Sequence, residues 1–287
     1  MSFHLIYIIL HYRHTLFHTY LSYCYNQSVM KYLVLLLIQS IAEIFPVSSS
    51  AHLLLAGKLL NVNMSTDILT FMQLPSAIAI LLFFRKDIIN ILKNVRHDRR
   101  LMNRILITMP PAIFAGFFLS SLIETYFHAS ATIAINLAIW GLAMILVEIL
   151  HGSAIYDNVE DMPMWKTGVI GLFQVFALLP GTSRSGVTTT SAVFLGLKKD
   201  IAVKFSFLIG LPIIFGSMLY EFISSDMKSF STVNLNPWIL SGGAIAGFLV
   251  SYLALKLLMR LAKKRFFLTG FGLYRIFLAI LIYLLRV

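Results

Sequence analysis

Two short polar stretches of this apolar chain carry residues that suit phosphate chemistry. One reads "EIFPVSSSAH" over residues 43–52, and the other reads "LLPGTSRSGVT" over residues 178–188. In both, a proline precedes small hydroxyl residues that open a predicted short helix. A helix start has about four unpaired N–H groups and a partial positive charge, so two facing starts favour an anion, phosphate above all. The serines concerned are Ser48 and Ser49 in the first stretch and Ser183 and Ser185 in the second. Alternatively, such serines only cap their helices.

Arg184 stands between two of these serines, with membrane-length apolar sequence on either side. An arginine at the bilayer centre costs roughly 2.5–3.5 kcal/mol on insertion scales, so it requires a partner. Its planar fork suits two oxygens of a phosphate or a carboxylate. We therefore expect a phosphate clamp or a structural ion pair with Glu43, and the two can alternate as ligand enters.

Glu43 is the second charge in an apolar environment, and Gln39 precedes it by one helical turn on the same face. A carboxylate and an amide oxygen together predict a divalent cation site, for Mg²⁺ or Ca²⁺, that bridges to phosphate oxygens. Glu43 could instead orient a base or be structural.

His52 follows Ser49 by three residues at a helix start, so the two share a face. This spacing predicts a nucleophile with its acid–base partner, although a histidine there can also be interfacial. Thr188 and Ser185 can donate hydrogen bonds to phosphate, or bond the helix carbonyl four residues back. Arg275 is interpreted as a structural pair with its neighbour Tyr274 or as an interfacial anchor.

The composition indicates a polytopic membrane protein. Of 287 residues 59% are hydrophobic and 12% charged, the mean hydropathy is +0.84, and a soluble domain carries roughly 25% charged residues. The net charge of +11 does not indicate nucleic-acid binding, because Lys and Arg cluster in two short segments, 85–104 and 260–265, as in cytoplasmic loops. The single Cys24 excludes an internal disulfide framework and a multi-cysteine metal site.

The predicted fold is all-α, with six transmembrane helices and two re-entrant helix-loop-helix segments. Each re-entrant segment joins a short apolar helix, at 32–45 or 167–179, to a second short helix after the break. The six predicted spans cover residues 66–84, 105–122, 131–150, 202–222, 238–259 and 267–285.

Local sequence matches predict a duplication within one integral membrane domain, residues 30–287, with repeats over 30–150 and 166–287. "AGFFLS" at 115–120, for example, matches "AGFLVS" at 246–251. Each repeat has an odd number of spans, so the second is inverted and the two polar stretches meet near mid-membrane, where such folds bind their ligands. Residues 1–29 are expected to be an extension outside the mature protein, because Met30, followed at once by an apolar segment, is the better start of the mature chain.

The two polar stretches, with "FSFLIGLP" (205–212) and "FGLYR" (271–275), resemble the bacterial undecaprenyl-pyrophosphate phosphatase family of the bacitracin-resistance type. The likeness runs from about Met30 to the C-terminus. It implies a multi-pass inner-membrane enzyme that removes the terminal phosphate from a C55 polyprenyl diphosphate and so recycles the lipid carrier of peptidoglycan synthesis. The active site is expected to face the periplasm.

Carried over by position, the family's functional residues fall on the two polar stretches. The acids fall on Gln39 and Glu43, the serine–histidine motif on Ser48, Ser49 and His52, and the arginine motif on Ser183, Arg184, Ser185 and Thr188. Two positions depart from the family: Gln39 stands where Glu is common, which weakens a two-carboxylate metal site, and Pro75 stands where Gly is usual.

The predicted partners are the polyprenyl diphosphate and membrane lipid, with a homodimer as the possible assembly. A lipid or anion transporter (a flippase included) is the alternative function, because inverted repeats are common among carriers.

Overall fold

The computed structural model of the chain describes residues 29–62, 66–94, 98–126, 129–150, 154–224 and 237–285. Within these residues it is all-helical and contains no β-strand, only an isolated bridge between Tyr156 and Leu197. The predicted extension, residues 1–29, lies outside the described residues except for Val29.

Eleven α-helices and two short 3₁₀ helices occur in the described part of the chain. The α-helices are α1 Val29–Ala42, α2 Ser49–Leu60, α3 Thr66–Phe83, α4 Arg85–Asn94, α5 Arg100–Tyr126, α6 Ser130–Leu150, α7 Met164–Gln174, α8 Arg184–Phe194, α9 Lys199–Ser224, α10 Pro237–Leu261 and α11 Phe267–Leu284. The 3₁₀ helices are Val159–Asp161 and Val175–Leu178.

Five of these helices are long and apolar enough to cross a membrane, which confirms the polytopic class. They are α5, α6, α9, α10 and α11, and the sixth predicted span is met only if α3 and α4 are counted together. These two helices meet at a bend of 62°. The basic segment after residue 84, predicted as a loop, therefore contains a helix, and none of the residues of α4 is buried.

The two basic segments lie at the same end of the bundle. Lys204, near the start of α9, pairs with Asp87 of α4. Lys199, at the start of α9, donates to the carbonyl oxygen of Arg265 at 2.7 Å. We call this the basic end. The basic end contains both the segment after α3 and the segment between α10 and α11. The positive charge of both segments predicted that they lie on the same side of the membrane.

Helix α8 lies in the middle of the core, where residues 185–193 are all buried. Phe205, Phe207 and Ile209 of α9 belong to the largest apolar cluster of the described residues. A helix buried on all sides is short of water, so its polar side chains must bond within the protein. The start of α8 is consequently held in a fixed position.

Small residues bring α1, α3 and α10 into close contact. A Cβ atom on Gly247 would lie 2.7 Å from Ser40 Oγ and 3.2 Å from Pro75 Cβ. Ser251 Oγ donates to Ser40 O at 2.9 Å and lies 3.0 Å from Ser76 Oγ. Pro75 is accommodated within α3 because a glycine faces it, and the contacts fix the end of α1.

Candidate active site

The chain enters α2 through a constrained turn. Residues 43–47 form turns after α1, and Ser48 then adopts φ 74°, a left-handed value that is uncommon for serine. Its hydroxyl accepts a hydrogen bond from Ala51 N at 3.4 Å and lies 3.0 Å from Ser50 Oγ. We call residues 43–52 the first tip.

The chain enters α8 in the same way. Gly181 has φ 90°, and a Cβ there would lie 2.5 Å from Ile133 O, so only glycine fits. Ser183 has φ 67°, and its hydroxyl accepts from Gly186 N at 3.2 Å and lies 3.4 Å from Ser185 Oγ. We call residues 179–188 the second tip.

The backbone geometry pairs the residues of the two tips differently, by one position, from an alignment of their sequences. Sequence alignment on the prolines pairs Ser49 with Ser183, whereas the left-handed capping serines pair Ser48 with Ser183. The reason is one more residue between proline and cap in the second tip. Ser49 and Arg184 therefore occupy equivalent positions, the first residue of α2 and of α8.

Arg275 of α11 joins the two tips. Its side chain is fully buried and donates to Pro46 O at 3.2 Å, to Gly181 O at 2.9 Å and to Thr182 O at 2.8 Å. Gly181 N also donates directly to Ser50 Oγ at 3.1 Å. Arg275 is thus a structural clamp and not an interfacial anchor.

Glu43, Ser49, Gln39 and Arg184 meet between the tips. Ser49 Oγ donates to Glu43 Oε2 at 2.9 Å, and Gln39 Nε2 donates to the same oxygen at 3.1 Å. Arg184 Nη2 lies 3.5 Å from Glu43 Oε1, so the predicted ion pair forms. The side chains of Arg184 and Glu43 are 14% and 12% exposed, so water screens this pair little.

Arg184 is closely fitted but incompletely bonded. A Cβ on Gly210 would lie 1.2 Å from Arg184 Nη1, so the guanidinium occupies the space that this glycine leaves open. Among the described residues, neither Nη atom has a hydrogen-bond partner apart from the long contact to Glu43. Buried donors are nearly always paired, so this guanidinium has free capacity for an acceptor.

Other unpaired polar atoms belong to the second tip or to side chains that bond the tips. Eight buried side-chain N or O atoms lack a partner among the described residues, and five belong to Gln39, the second tip and Arg275. Besides the two of Arg184, they are Gln39 Oε1, Thr182 Oγ1 and Arg275 Nε. Such a concentration at one site, in a core that is otherwise well bonded, is typical of a site that bonds a polar ligand.

His52 is bound to a residue that the sequence did not connect with it. Its Nδ1 lies 2.8 Å from Ser48 O, and its Nε2 lies 2.7 Å from Tyr274 Oη. A carbonyl only accepts, so Nδ1 carries the proton and Nε2 of the neutral ring accepts from the tyrosine. The two rings stack, with centroids 5.7 Å apart.

The structure shows no hydrogen bond between Ser49 and His52, the residues whose spacing predicted a nucleophile with its acid–base partner. Each side chain bonds another partner, Glu43 for the serine hydroxyl and Ser48 with Tyr274 for the imidazole. The shared helical face places the two residues near each other, but it does not determine which acceptor each side chain reaches.

Ser185 and Thr188 differ in their availability to a ligand. Thr188 Oγ1 donates to Arg184 O at 2.8 Å, four residues back, and also contacts Ser206 Oγ. It therefore follows the second of its two predicted roles and supports the backbone of Arg184. Ser185 Oγ contacts only the capping hydroxyl of Ser183 among the described residues.

The residues around Glu43 fit a divalent cation in part. No group of three or more His, Cys, Asp or Glu side chains is assembled in the described part of the chain. Glu43 offers a carboxylate, and Gln39 Oε1 is buried and unpaired, so two oxygen ligands of the kind that Mg²⁺ and Ca²⁺ prefer are present. The remaining ligands must come from substrate and water.

Sequence reasoning missed three contributors to this site. Gly210 and Tyr274 lie in two of the stretches that resemble the family, 205–212 and 271–275, but their positions in the sequence do not connect them with Arg184 or His52. Arg275 did carry a signal, because a charged residue within an apolar span is by default a candidate for function.

Known proteins match most of this chain. The family model described as "Bacitracin resistance protein BacA" matches residues 32–281. An undecaprenyl-diphosphatase of Buchnera aphidicola is 34% identical over 87% of this chain and 94% of its own length. Those of Sulfurihydrogenibium sp. and Enterococcus faecalis are 33% and 32% identical over 90% and 89% of this chain, and over 99% and 96% of their own lengths. The chain belongs to the bacitracin resistance protein BacA family.

Proposed function

We propose that this member of the BacA family is an undecaprenyl-diphosphate phosphatase, which releases phosphate from the lipid diphosphate and leaves undecaprenyl phosphate. The names of its relatives support this activity. The single observation that carries it in this chain is the buried, incompletely bonded guanidinium of Arg184 opposite the Ser49–Glu43 pair. A polyprenyl diphosphate supplies the oxygens that this guanidinium lacks.

Charge stabilisation is the main contribution of the second tip. The terminal phosphoryl group lies between the tips. Arg184 gives up its long contact with Glu43 and binds two phosphoryl oxygens instead. The N–H groups at the starts of α2 and α8 face the same charge. Phosphoryl transfer needs little beyond positioning and charge stabilisation, so these groups supply most of the rate.

The first tip supplies the nucleophile and the base. Ser49 Oγ attacks the terminal phosphorus, its proton passes to Glu43 Oε2, and the bond to the bridging oxygen breaks with release of undecaprenyl phosphate. Water then attacks the phosphoserine phosphorus, the bond from phosphorus to Ser49 Oγ breaks with release of phosphate, and Glu43 returns the proton to Ser49 Oγ. The hydrogen bond of 2.9 Å from Ser49 to Glu43 supports this assignment, whereas direct attack by a water that Ser49 orients would leave no phosphoenzyme.

His52 has a role in the second step. Its Nε2 is the acceptor nitrogen, and the Tyr274 hydroxyl lies on it. His52 accepts a proton from the water that attacks the phosphoserine, after Tyr274 is displaced or through its hydroxyl. Tyr274 is a positioning residue that holds the ring and its tautomer.

A divalent cation, Mg²⁺ or Ca²⁺, completes the proposed site. Glu43 and Gln39 Oε1 would hold it, and it would neutralise charge on the diphosphate oxygens. Ser48, Ser183 and Ser185 line the two helix starts and complete the substrate contacts.

The proposed topology is an inverted repeat with two re-entrant segments. The left-handed capping serines at both tips and the contacts between the tips support it. The protein lies in the inner membrane with its basic end toward the cytoplasm. The active site opens to the periplasm, and the enzyme there recycles the lipid carrier for peptidoglycan synthesis. Loss of undecaprenyl diphosphate from the membrane fits the family's bacitracin resistance. Assembly as a homodimer stays a prediction.

The deciding experiment is phosphate release from a C55 or C15 polyprenyl diphosphate by the purified, detergent-solubilised protein in Mg²⁺ or Ca²⁺. Release is expected for the wild type and not for Arg184→Ala. A transporter would bind the lipid diphosphate without hydrolysis and would tolerate Ser49→Ala, so substrate binding with no release under either ion would contradict the enzyme.

A further inference from the structure

A cavity of about 670 Å³ opens at the basic end, away from the tips. The end of α6, the end of α8, the start of α9 and the segment between α10 and α11 form its walls. Val193 of α8 lines it, whereas Arg184 begins the same helix. At 1.5 Å rise per residue the two lie about 14 Å apart along the axis, so the cavity is separate from the proposed active site.

Several charged groups of the cavity are already bonded within the protein. Glu148 Oε1 accepts from Lys199 Nζ at 2.7 Å, and its Oε2 accepts from Thr269 N at 2.7 Å. Asp200 Oδ1 accepts from Ile201 N at 3.1 Å. Glu148 is thus paired with a lysine, and Asp200 lies at a helix start, where a negative charge is stabilised, so both acids have partners within the protein.

Two cations of the cavity keep free capacity. Lys263 and Arg265 are exposed and form no ion pair in the described structure, and Arg265 lies over the ring of Phe266 at 5.1 Å. Lys198, which also lines the cavity, pairs with Asp157 at 3.3 Å. The site is therefore positively charged where a ligand would enter, and an anion complements it.

Exposed apolar side chains stand beside these cations. Ile149 and Phe266 line the cavity and are 68% and 65% exposed. Both lie at the ends of helices that are long enough to cross a membrane, so their exposed surface faces the acyl-chain boundary. A free anion would leave this apolar surface unused, whereas a lipid would cover it.

We propose that this cavity binds the phosphate headgroup of an anionic phospholipid. Lys263 and Arg265 bind the phosphate oxygens, and an acyl chain lies along Ile149 and Phe266. Each basic residue near an anionic headgroup contributes about 1 kcal/mol, so two such residues give about a 30-fold preference over a neutral lipid. The site is independent of the proposed hydrolysis.

The test is a lipid titration of the full-length protein in detergent, followed by native mass spectrometry. Phosphatidylglycerol, phosphatidylcholine and inorganic phosphate are the probes. Lys263→Gln with Arg265→Gln is expected to weaken phosphatidylglycerol binding about 30-fold, and Lys263→Gln alone about fivefold. The matched control is Arg85→Gln with Lys86→Gln, which removes two exposed cations from the same end and is expected to change the affinity less than threefold.

Three results would overturn the proposal. Equal losses in both double variants would indicate general surface charge, and equal affinity for the two lipids would exclude headgroup recognition. Displacement of the lipid by millimolar phosphate, with phosphate binding lost in the Lys263/Arg265 variant, would make the cavity a site for a soluble anion. The cavity variants are expected to keep wild-type hydrolysis and melting temperature, so failure of the proposed activity would be visible separately.

Discussion

The two tips share a backbone but not a chemistry. Each has a left-handed serine that caps a short helix, and a second serine two residues later that touches the first. The residue between them is Ser49 in the first tip and Arg184 in the second. The same local backbone geometry thus presents a hydroxyl at one tip and a guanidinium at the other.

The surroundings extend this difference. The first tip adds Glu43 and His52, which can exchange protons, while the second tip adds only hydroxyl and backbone groups. Arg275 donates to carbonyl oxygens of both tips, one in the first tip and two in the second. The comparison teaches that two helix starts with the same backbone differ in the side chain at one position. In the proposed mechanism this difference assigns proton transfer to the first tip and charge stabilisation to the second.

The largest expected effect is at Arg184. Arg184→Ala should lower kcat for prenyl diphosphate hydrolysis by at least about 10³-fold, because the transition-state charge loses its main partner. Arg184→Lys, which keeps a charge without the fork, should recover only part of it. Arg260→Ala, an exposed arginine at the basic end, is the control and should match wild type. If kcat of Arg184→Ala falls less than tenfold, charge stabilisation is not the role of the second tip.

The equivalent position in the first tip is tested by Ser49→Ala. We expect kcat to fall about 10³-fold with KM nearly unchanged, because the nucleophile is lost and the charge clamp is kept. Wild-type protein quenched in acid during turnover should carry phosphate on Ser49. If Ser49→Ala retains substantial turnover and no phosphoenzyme forms, water is the nucleophile and the first tip only orients it.

Gly210 tests whether the placement of Arg184 matters as well as its charge. The new Cβ of Gly210→Ala would meet Arg184 Nη1 at 1.2 Å, and displacement of a positioned group by about 1 Å can cost about 10²-fold. Gly216→Ala on the same helix is the matched control, since nothing lies within 4 Å of its Cβ. Both variants are assayed for phosphate release and melting temperature. Equal activity of the two would show that the guanidinium needs no such fit.

Tyr274→Phe is expected to have a moderate effect. Loss of its hydroxyl leaves His52 Nε2 without its partner, and we expect about a tenfold lower kcat with an unchanged KM. In the double variant with His52→Ala, the fold decrease in kcat should be smaller than the product of the two single decreases. Tyr283→Phe, at an exposed position, is the control. If the two single effects multiply in the double variant, Tyr274 and His52 act independently and Tyr274 does not act through His52.

The smallest effects concern the shared backbone device. Ser48→Ala and Ser183→Ala each remove a helix cap, which costs about 1 kcal/mol. We expect similar decreases in the free energy of unfolding for the two variants, measured by chemical denaturation in detergent. A loss at only one tip would break the structural equivalence of the capping serines.

The sequence by itself determined the class of the protein and the two stretches that form its candidate site. Span length, low charge and the clustering of Lys and Arg are local properties of the chain, so they are sufficient to predict a polytopic helical protein. An arginine and a glutamate in apolar surroundings are costly wherever the chain folds, so Arg184 and Glu43 were identifiable, and their ion pair is confirmed.

Only the tertiary structure decided which atoms bond. His52 forms a hydrogen bond with Tyr274, 222 residues away, and Ser49 donates its hydrogen bond to Glu43 and not to His52. Arg275 reaches carbonyl oxygens of both tips, and the two capping serines correspond with a shift of one residue. None of this follows from spacing along the chain, because a buried side chain bonds the acceptor that packing brings within about 3 Å, and packing depends on helices far apart in sequence.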